Sequence, residues 1–387
     1  MNKIYKKITL LCILFIITGF MSCQTKESQN DDFRIEQKNG EVILVKYKGT
    51  GKNVKIPKDI TSIGKDAFRG CKNITNLVIP DSVTYIGEGA FLFCENLISI
   101  TIPNSVISIE DDTFYLCKNL TDISMPTSIK KIGRGAFGSC SNLTNITIPD
   151  SVTFIDKGAF TGCKNLKNVI ISNNLISLEE DTFAGCANLI SITIPKAVTK
   201  IGKGAFNGCD GLISFYVEDK NVNYLSIDGV LFTKDKKTLI KFPPSKEIEK
   251  YIIPKGVKKI DDNSFNNCKR LTDIIISHTI TDIGAGEFYN CTGLTSITIP
   301  NSVVSIQHYI FGNCTSLTDV MLSNSMTSIP EYTFYNCTNL TKIIIPKSIK
   351  SINSGAFGNY HNLTIYGYKG SFIEKYCNKY NISFKAI

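Results

Sequence analysis

The residues able to do chemistry in this 387-residue chain are its fourteen cysteines, three histidines and two acidic triplets. Thiols could form disulfides or bind zinc, histidines could move protons or hold a metal, and clustered carboxylates could act as a hydrolytic pair. Position decides among these. Eleven cysteines fall at one point of a 23-residue step: Cys71, Cys94, Cys117, Cys140, Cys163, Cys186 and Cys209, then Cys268, Cys291, Cys314 and Cys337. Residues so placed lie one above another on stacked rungs roughly 4.7–5 Å apart. Their Cβ vectors run parallel, whereas a disulfide needs them to converge, and an odd set cannot pair completely. The close paired spacings of structural zinc sites are missing as well. The pattern predicts a ladder of buried free thiols packing as small hydrophobes.

The other reactive groups are dispersed. His278, His308 and His361 sit in separate blocks, the first two at different offsets, which predicts surface histidines. Glu110-Asp111-Asp112 and Glu179-Glu180-Asp181 share an offset but are three blocks apart, on the order of 15 Å, and read as solvated turns. Gly133-Arg134-Gly135 lacks the third glycine and the βαβ setting of a dinucleotide fingerprint. Asn119-Leu120-Thr121 is a by-product of the repeat. No catalytic residue, metal or cofactor is assigned, and the chain is read as a non-enzyme. The formal charge of +9 includes Lys3, Lys6 and Lys7 and is +6 without them. The remainder is interspersed with acids and forms no nucleic-acid footprint.

The elements that hold these residues follow from the same beat. Phenylalanine keeps the step three residues before cysteine, at Phe68, Phe91, Phe114, Phe137, Phe160, Phe183 and Phe206, then Phe265, Phe288, Phe311, Phe334 and Phe357. Proline opens most blocks, as at Pro57, Pro80, Pro103 and Pro126. A block this short cannot bury its own apolar face and must stack on its neighbours, which is a solenoid. In residues 80–102, PDSVTYIGEGAFLFCENLISITI, the tail alternates Ile100 in, Thr101 out, Ile102 in, the period of a half-buried strand. Val83 and Ile86 fit a second, shorter extended piece, and Gly87 to Phe91 a turn. About twelve rungs are counted, with the phenylalanine column as the main stabilising element.

Seven segments result. Residues 1–22 read as an export signal, basic at Lys3, Lys6 and Lys7 and apolar from Ile8 to Met21. Residues 23–32 are a polar tether and 33–56 an N-terminal β cap built on the Asn39-Gly40 hairpin signal. Rungs 1–7 occupy 57–217 and rungs 8–12 occupy 254–368. Between them residues 218–253 form a β-meander insert that is expected to project from the stack or bend it. Residues 369–387 are a helix–strand cap, with Ser371 and Glu374 as a capping box and Phe372, Ile373, Tyr376, Cys377 and Tyr380 on one helical face.

Two resemblances add to this. Phe20-Met21-Ser22-Cys23 resembles a bacterial lipobox, with Phe20 and Met21 in place of the usual leucine and small residue. It implies lipidation of Cys23 and anchoring to a bacterial membrane at the cell surface or outer membrane. Ordinary signal-peptidase cleavage and an uncleaved anchor remain open. Residues 57–368 resemble the BspA-like (Treponema-type) leucine-rich repeat proteins, in the pattern C-x-x-L-x-x-I-x-[IL]-P-x-x-[VIL]-x-x-I-G-x-x-A-F. The family implies a β-rich leucine-rich repeat solenoid on a surface lipoprotein. It also implies an adhesin binding protein or glycan on host matrix, host cells or other bacteria, and brings no catalytic residues. A non-adhesive envelope scaffold is the alternative. Outward strand positions run Val78, Thr101, Ser124, Thr147, Ile170, Thr193 and Tyr216, then Ile275, Thr298, Met321 and Ile344. The candidate partner face is the apolar group Ile170, Ile190, Ile213 and Tyr216, unless the insert folds over it.

Overall fold

A computed structural model describes residues 32–358 and 363–387. The export signal, Cys12, Cys23 and His361 lie outside the described residues. Most rungs contribute a three- or four-residue strand and a two-residue strand, such as Ser99–Thr101 and Ser108–Ile109; the rung opening at Pro300 lacks the second. Successive rungs pair in parallel at the 23-residue step, Ile100 with Ile123 and Ser108 with Lys131. In most rungs a proline, which supplies no N–H, follows the strand and stops it. The proline carbonyl instead closes a tight turn, as where Val83 N–H donates to Pro80 O at 3.1 Å. The turns are laddered too: Phe68 N–H donates to Ala90 O at 2.7 Å and Phe114 N–H to Ala136 O at 2.8 Å. Backbone groups therefore find partners along the stack on every side, as burial requires.

The phenylalanines form one column in each half. Phe114, Phe137 and Phe160 stack at centroid distances of 5.3 Å with planes within 11° and 4°. Tyr47, from the N-terminal hairpin, heads the column 5.3 Å from Phe68. That hairpin joins Phe33–Lys38 to Glu41–Tyr47, and Asn39 and Gly40 both take positive φ, as a type I′ turn requires. It then enters the stack directly, Leu44 pairing with Ile63. The caps and the irregular segment each supply strands in register (Asn53–Lys55, Lys250–Ile252 and Ser383–Ala386). Among the described residues the strands at the longer-strand position of the stack therefore number fifteen, more than the twelve regular rungs.

The C-terminal helix runs Phe372–Tyr380 and buries Ile373 and Cys377, while Phe372 and Tyr380 are exposed. The expected capping box is not formed. Ser371 makes no side-chain cap bond, and Glu374 instead accepts the Gly370 N–H at 2.6 Å. The carboxylate is taken by the turn before the helix, so the reciprocal bond has no partner. The final strand, Ser383–Ala386, pairs with Thr364–Gly367 and closes the sheet.

The insert does not project. Its strands Tyr224–Ile227, Val230–Thr233 and Thr238–Lys241 form the expected meander. The third then pairs in parallel with Lys259–Ile260 and becomes the short strand of a rung. Phe242 lies 23 residues before Phe265 and stacks on it at 5.1 Å. Residues 218–253 are thus one long rung carrying an extra hairpin. Val230–Thr233 divides the interior: Leu231 packs in the N-terminal core, whereas Val230 and Phe232 pack in the C-terminal one. Ties across the joint include Lys203 with Asp262 at 3.1 Å and Asn267 Nδ2 to Asp210 Oδ1 at 2.8 Å.

Two ionisable groups are buried beside this joint. Lys241 Nζ donates to Asn263 O at 2.6 Å, and Glu287 Oε2 accepts the Ser264 N–H at 3.2 Å. Glu287 Oε1 has no partner among the described residues. Burial holds the Glu287 carboxyl well above its ordinary range and pushes the Lys241 ammonium down. A raised folded pKa means that the contribution of Glu287 is whole below the ordinary glutamate pKa and declines as pH rises through the folded value.

Two outcomes are expected. Phe137→Ala should lower stability by roughly 3–5 kcal/mol in chemical denaturation, and a loss under about 1 kcal/mol would contradict its place in the column. Glu287→Gln should stabilise the protein, because it removes a carboxyl whose ionisation is opposed by burial. The gain in denaturant midpoint should be larger at pH 8 than at pH 5; equal gains at both would contradict the raised carboxyl.

Candidate binding faces

The thiol ladder is built from one recurring bond. Phe68 O accepts the Cys71 N–H of its own rung at 3.0 Å and the Cys94 Sγ of the next at 3.1 Å. The same pair of bonds recurs at Phe114 O, from Cys117 N and from Cys140 Sγ at 3.2 Å. A carbonyl has two lone pairs, and a thiol is small enough to reach the second one inside a packed core. The thiol bonds run from Cys94 to Cys209 and resume from Cys291 to Cys337. All the cysteines of the column are free; Cys71 and Cys337 at the ends of the series are partly exposed and the rest buried. Burial pushes the Cys94 and Cys163 thiols up to about 12 and Cys140 well above its usual value. Nucleophilic chemistry needs the thiolate, so these groups are held in their unreactive form.

Three of the six carboxylates in the acidic triplets form ion pairs between rungs. Asp111 faces Arg134, Glu180 faces Lys157 at 3.0 Å and Glu179 faces Lys200 at 3.0 Å. Such exposed pairs contribute little stability, but they leave no converging carboxylates. His278 and His308 are exposed on separate rungs. Among the described residues no group of three metal-ligating side chains converges.

Ile170, Ile190, Ile213 and Tyr216 are all exposed; the insert leaves them open because it is folded into the stack. They do not form one patch. Tyr216 pairs beside Thr193, which separates it from Ile170. Ile190 and Ile213 lie three residues earlier in their chains, about 10 Å along an extended strand.

A longer apolar row occupies the other half. Ile252, Ile275, Thr298, Met321, Ile344 and Tyr366 are the outward third residues of consecutive strands in one parallel sheet. Ile252 is 67% exposed, Met321 63% and Ile344 54%. Beside the row the first residues of the same strands carry charge: Lys250 pairs with Asp273 and Lys342 with Asp319, each at 3.3 Å. A groove of about 630 Å³ lies over Thr298, Met321, Ile344, Tyr366 and Tyr368. A second of about 290 Å³ adjoins it over Ile275 and Thr298. An apolar strip rimmed by charge on an open sheet matches the anatomy of a protein-binding surface. The sequence signal was present in the outward positions Ile275, Met321 and Ile344. Ile252 and Tyr366 join them only once the long rung and the cap prove to be in register.

Parallel rungs with a strand on each, a buried phenylalanine column and short turns define a leucine-rich repeat solenoid. The chain belongs to the BspA type leucine rich repeat family, whose description (six copies) matches residues 46–157, 130–252 and 241–364. It is similar to a leucine rich cell surface protein from Faecalibacterium prausnitzii A2-165, with 31% identity over 88% of each chain and a TM-score of 0.70. It is also similar to a leucine-rich repeat protein from Bacteroides ovatus ATCC 8483, at 30% identity over 92% of this chain and 98% of that one, with a TM-score of 0.65. The pneumococcal vaccine antigen PcpA shares the fold, at 22% identity over 94% and 98% of the two chains and a TM-score of 0.69. No curated protein matches the chain. Among the described residues no helix is long and apolar enough to cross a membrane.

The thiol geometry carries a direct test. In native protein at pH 8, Cys117, Cys140 and Cys186 should resist an aromatic disulfide reagent for hours and react fully in guanidinium chloride. Rapid native modification of these three, mapped by mass spectrometry, would contradict the sealed ladder.

Proposed function

We propose that this protein is a cell-surface binding module that engages a macromolecular partner, in the first place a protein, through the sheet face bearing Ile252, Ile275, Met321, Ile344 and Tyr366. The observation that carries this is the row itself: Ile252, Ile275, Met321 and Ile344 are large apolar side chains exposed on one sheet beside the Lys250–Asp273 and Lys342–Asp319 ion pairs, and the half-buried Tyr366 extends the row. Exposed apolar strips of this kind mark interaction sites more often than solvent-facing sheet. Adhesion to host matrix, host cells or other bacteria is the use we assign to the face, supported by the cell-surface description of the Faecalibacterium relative. Lipidation at Cys23 would tether the solenoid outside the membrane, with residues 24–32 as the spacer.

The reading is tested by binding of the full chain to immobilised host matrix proteins and to intact bacterial cells. Met321→Lys and Ile344→Lys should each weaken capture at least tenfold, about 1.4 kcal/mol, while Ile190→Lys and Tyr216→Ala change it by less than twofold. Equal binding by all four variants would overturn the assignment to this face. Protease shaving of intact cells should remove the protein; protection until lysis would favour an envelope scaffold over an adhesin.

A further inference from the structure

A second feature stands on the turn edge of the same half and shares no residue with the groove. In the 23-residue rungs, the residue two before the column phenylalanine takes a left-handed backbone, from φ 53° at Asp112 to 70° at Gly204. Every other described rung of that length places glycine, aspartate or asparagine there, the residues that tolerate this region. Two consecutive rungs place tyrosine instead, Tyr309 at φ 57° and Tyr332 at φ 54°. A bulky side chain in this conformation is an outlier, and an outlier held against local preference points to a role outside folding. Phe93 and Leu116 are also left-handed, but in the other column, nearer the cysteine.

The rings are assembled, and the chain makes room for them. Tyr309 stacks on Tyr332 at 4.8 Å with planes 16° apart. It meets Tyr289 at 6.3 Å and Tyr335 at 6.4 Å edge-on. A Cβ at Gly312 would come within 2.9 Å of the Tyr289 ring, and one at Gly355 within 2.6 Å of the Tyr332 ring. Glycine at these two positions is what lets the rings lie flat over the next rung. Tyr309 and Tyr335 remain exposed.

The surroundings select the ligand. Asn313 Nδ2 donates to the Tyr289 hydroxyl at 2.8 Å, and Asn336 Nδ2 to Asn313 Oδ1 at 2.9 Å. His308 meets Tyr309 edge-on at 6.0 Å, and the Tyr309 N–H donates to Glu331 O at 3.3 Å, which brings that residue alongside the rings. Flat ring faces offer stacking to the C–H face of a sugar, and phenol hydroxyls and amides offer both donors and acceptors to its hydroxyls. The Glu331 carboxylate beside the rings disfavours an anionic ligand, and rings exposed on a turn edge suit stacking better than the enclosed grip an apolar anchor side chain takes. We propose that the cluster Tyr289, Tyr309, Tyr332 and Tyr335 is a platform for a neutral glycan built of pyranose rings. This site is independent of the sheet-face reading above.

The test uses the full chain on an array of neutral oligosaccharides: β-glucan, mannan, galactan and N-acetylglucosamine oligomers. The wild type should bind at least one of them, and Tyr335→Ala should weaken that binding tenfold or more. Tyr309→Gly should do the same while leaving the melting temperature unchanged or raised, because glycine is the residue neighbouring rungs use at this backbone. Met321→Lys should leave glycan binding intact. The proposal is overturned if no neutral glycan binds, if both tyrosine variants bind as the wild type does, or if the tyrosine-dependent ligand proves to be an acidic glycan or a protein.

Discussion

The phenylalanine carbonyl that serves two rungs at once is the contact on which the rest of this solenoid depends. Phe68 O and its equivalents through Phe183, and again from Phe265 to Phe311, each receive an amide from their own rung and a thiol from the next. The carbonyl already holds one amide, and the thiol adds a weak donor at its second lone pair while packing as a small hydrophobe. The cysteine therefore recurs for its volume and its weak donor. The bond also fixes where the ring above it must sit, so ring stacking, thiol placement and strand register are one constraint seen from three sides. Stability in such a stack is the sum of rung and interface terms, and here every interface is nearly the same interface.

A core specified so uniformly leaves its outer positions unconstrained, and the two halves have used that freedom differently. The first half places mostly threonine, serine and asparagine along its outward strand positions. The second half places isoleucine, methionine and tyrosine there and gathers further tyrosines on its turn edge. Both concentrations fall after the joint, on the same rigid ladder, and on faces built from different residues of each rung. A ligand on one does not need to displace anything from the other.

How much of this could be read from the chain follows from the same division. Phe137 and Cys140 were legible because each occupies a steric environment repeated many times over, and repetition exposes what packing demands. The hairpin at Asn39-Gly40 was legible because its backbone needs two positive φ values that few residues allow. The joint was misread because the 36-residue spacing hides a rung: only the Phe242-to-Phe265 interval, itself 23 residues, reveals that the beat continues through it. The capping box failed because a carboxylate such as Glu374 can be claimed by a neighbouring N–H, and that choice is made by the local turn. Ile170, Ile190, Ile213 and Tyr216 looked contiguous in a list of rungs, but positions along the strand separate them. The tyrosines at 309 and 332 carried a signal that goes unnoticed when attention rests on conserved types: they stand where the rest of the series keeps glycine, aspartate or asparagine.

The strand Val230–Thr233 turns its alternate side chains into two different cores. In a stack of rungs the ends are the weak points, since each exposes one unsealed apolar layer, and ordinary solenoids have two. This strand is a lid facing both ways. While it holds, neither half has an inner end, and unravelling must begin at the outer caps. Once it is lost, two new ends open in the middle of the molecule at the same moment, and the protein can come apart from within.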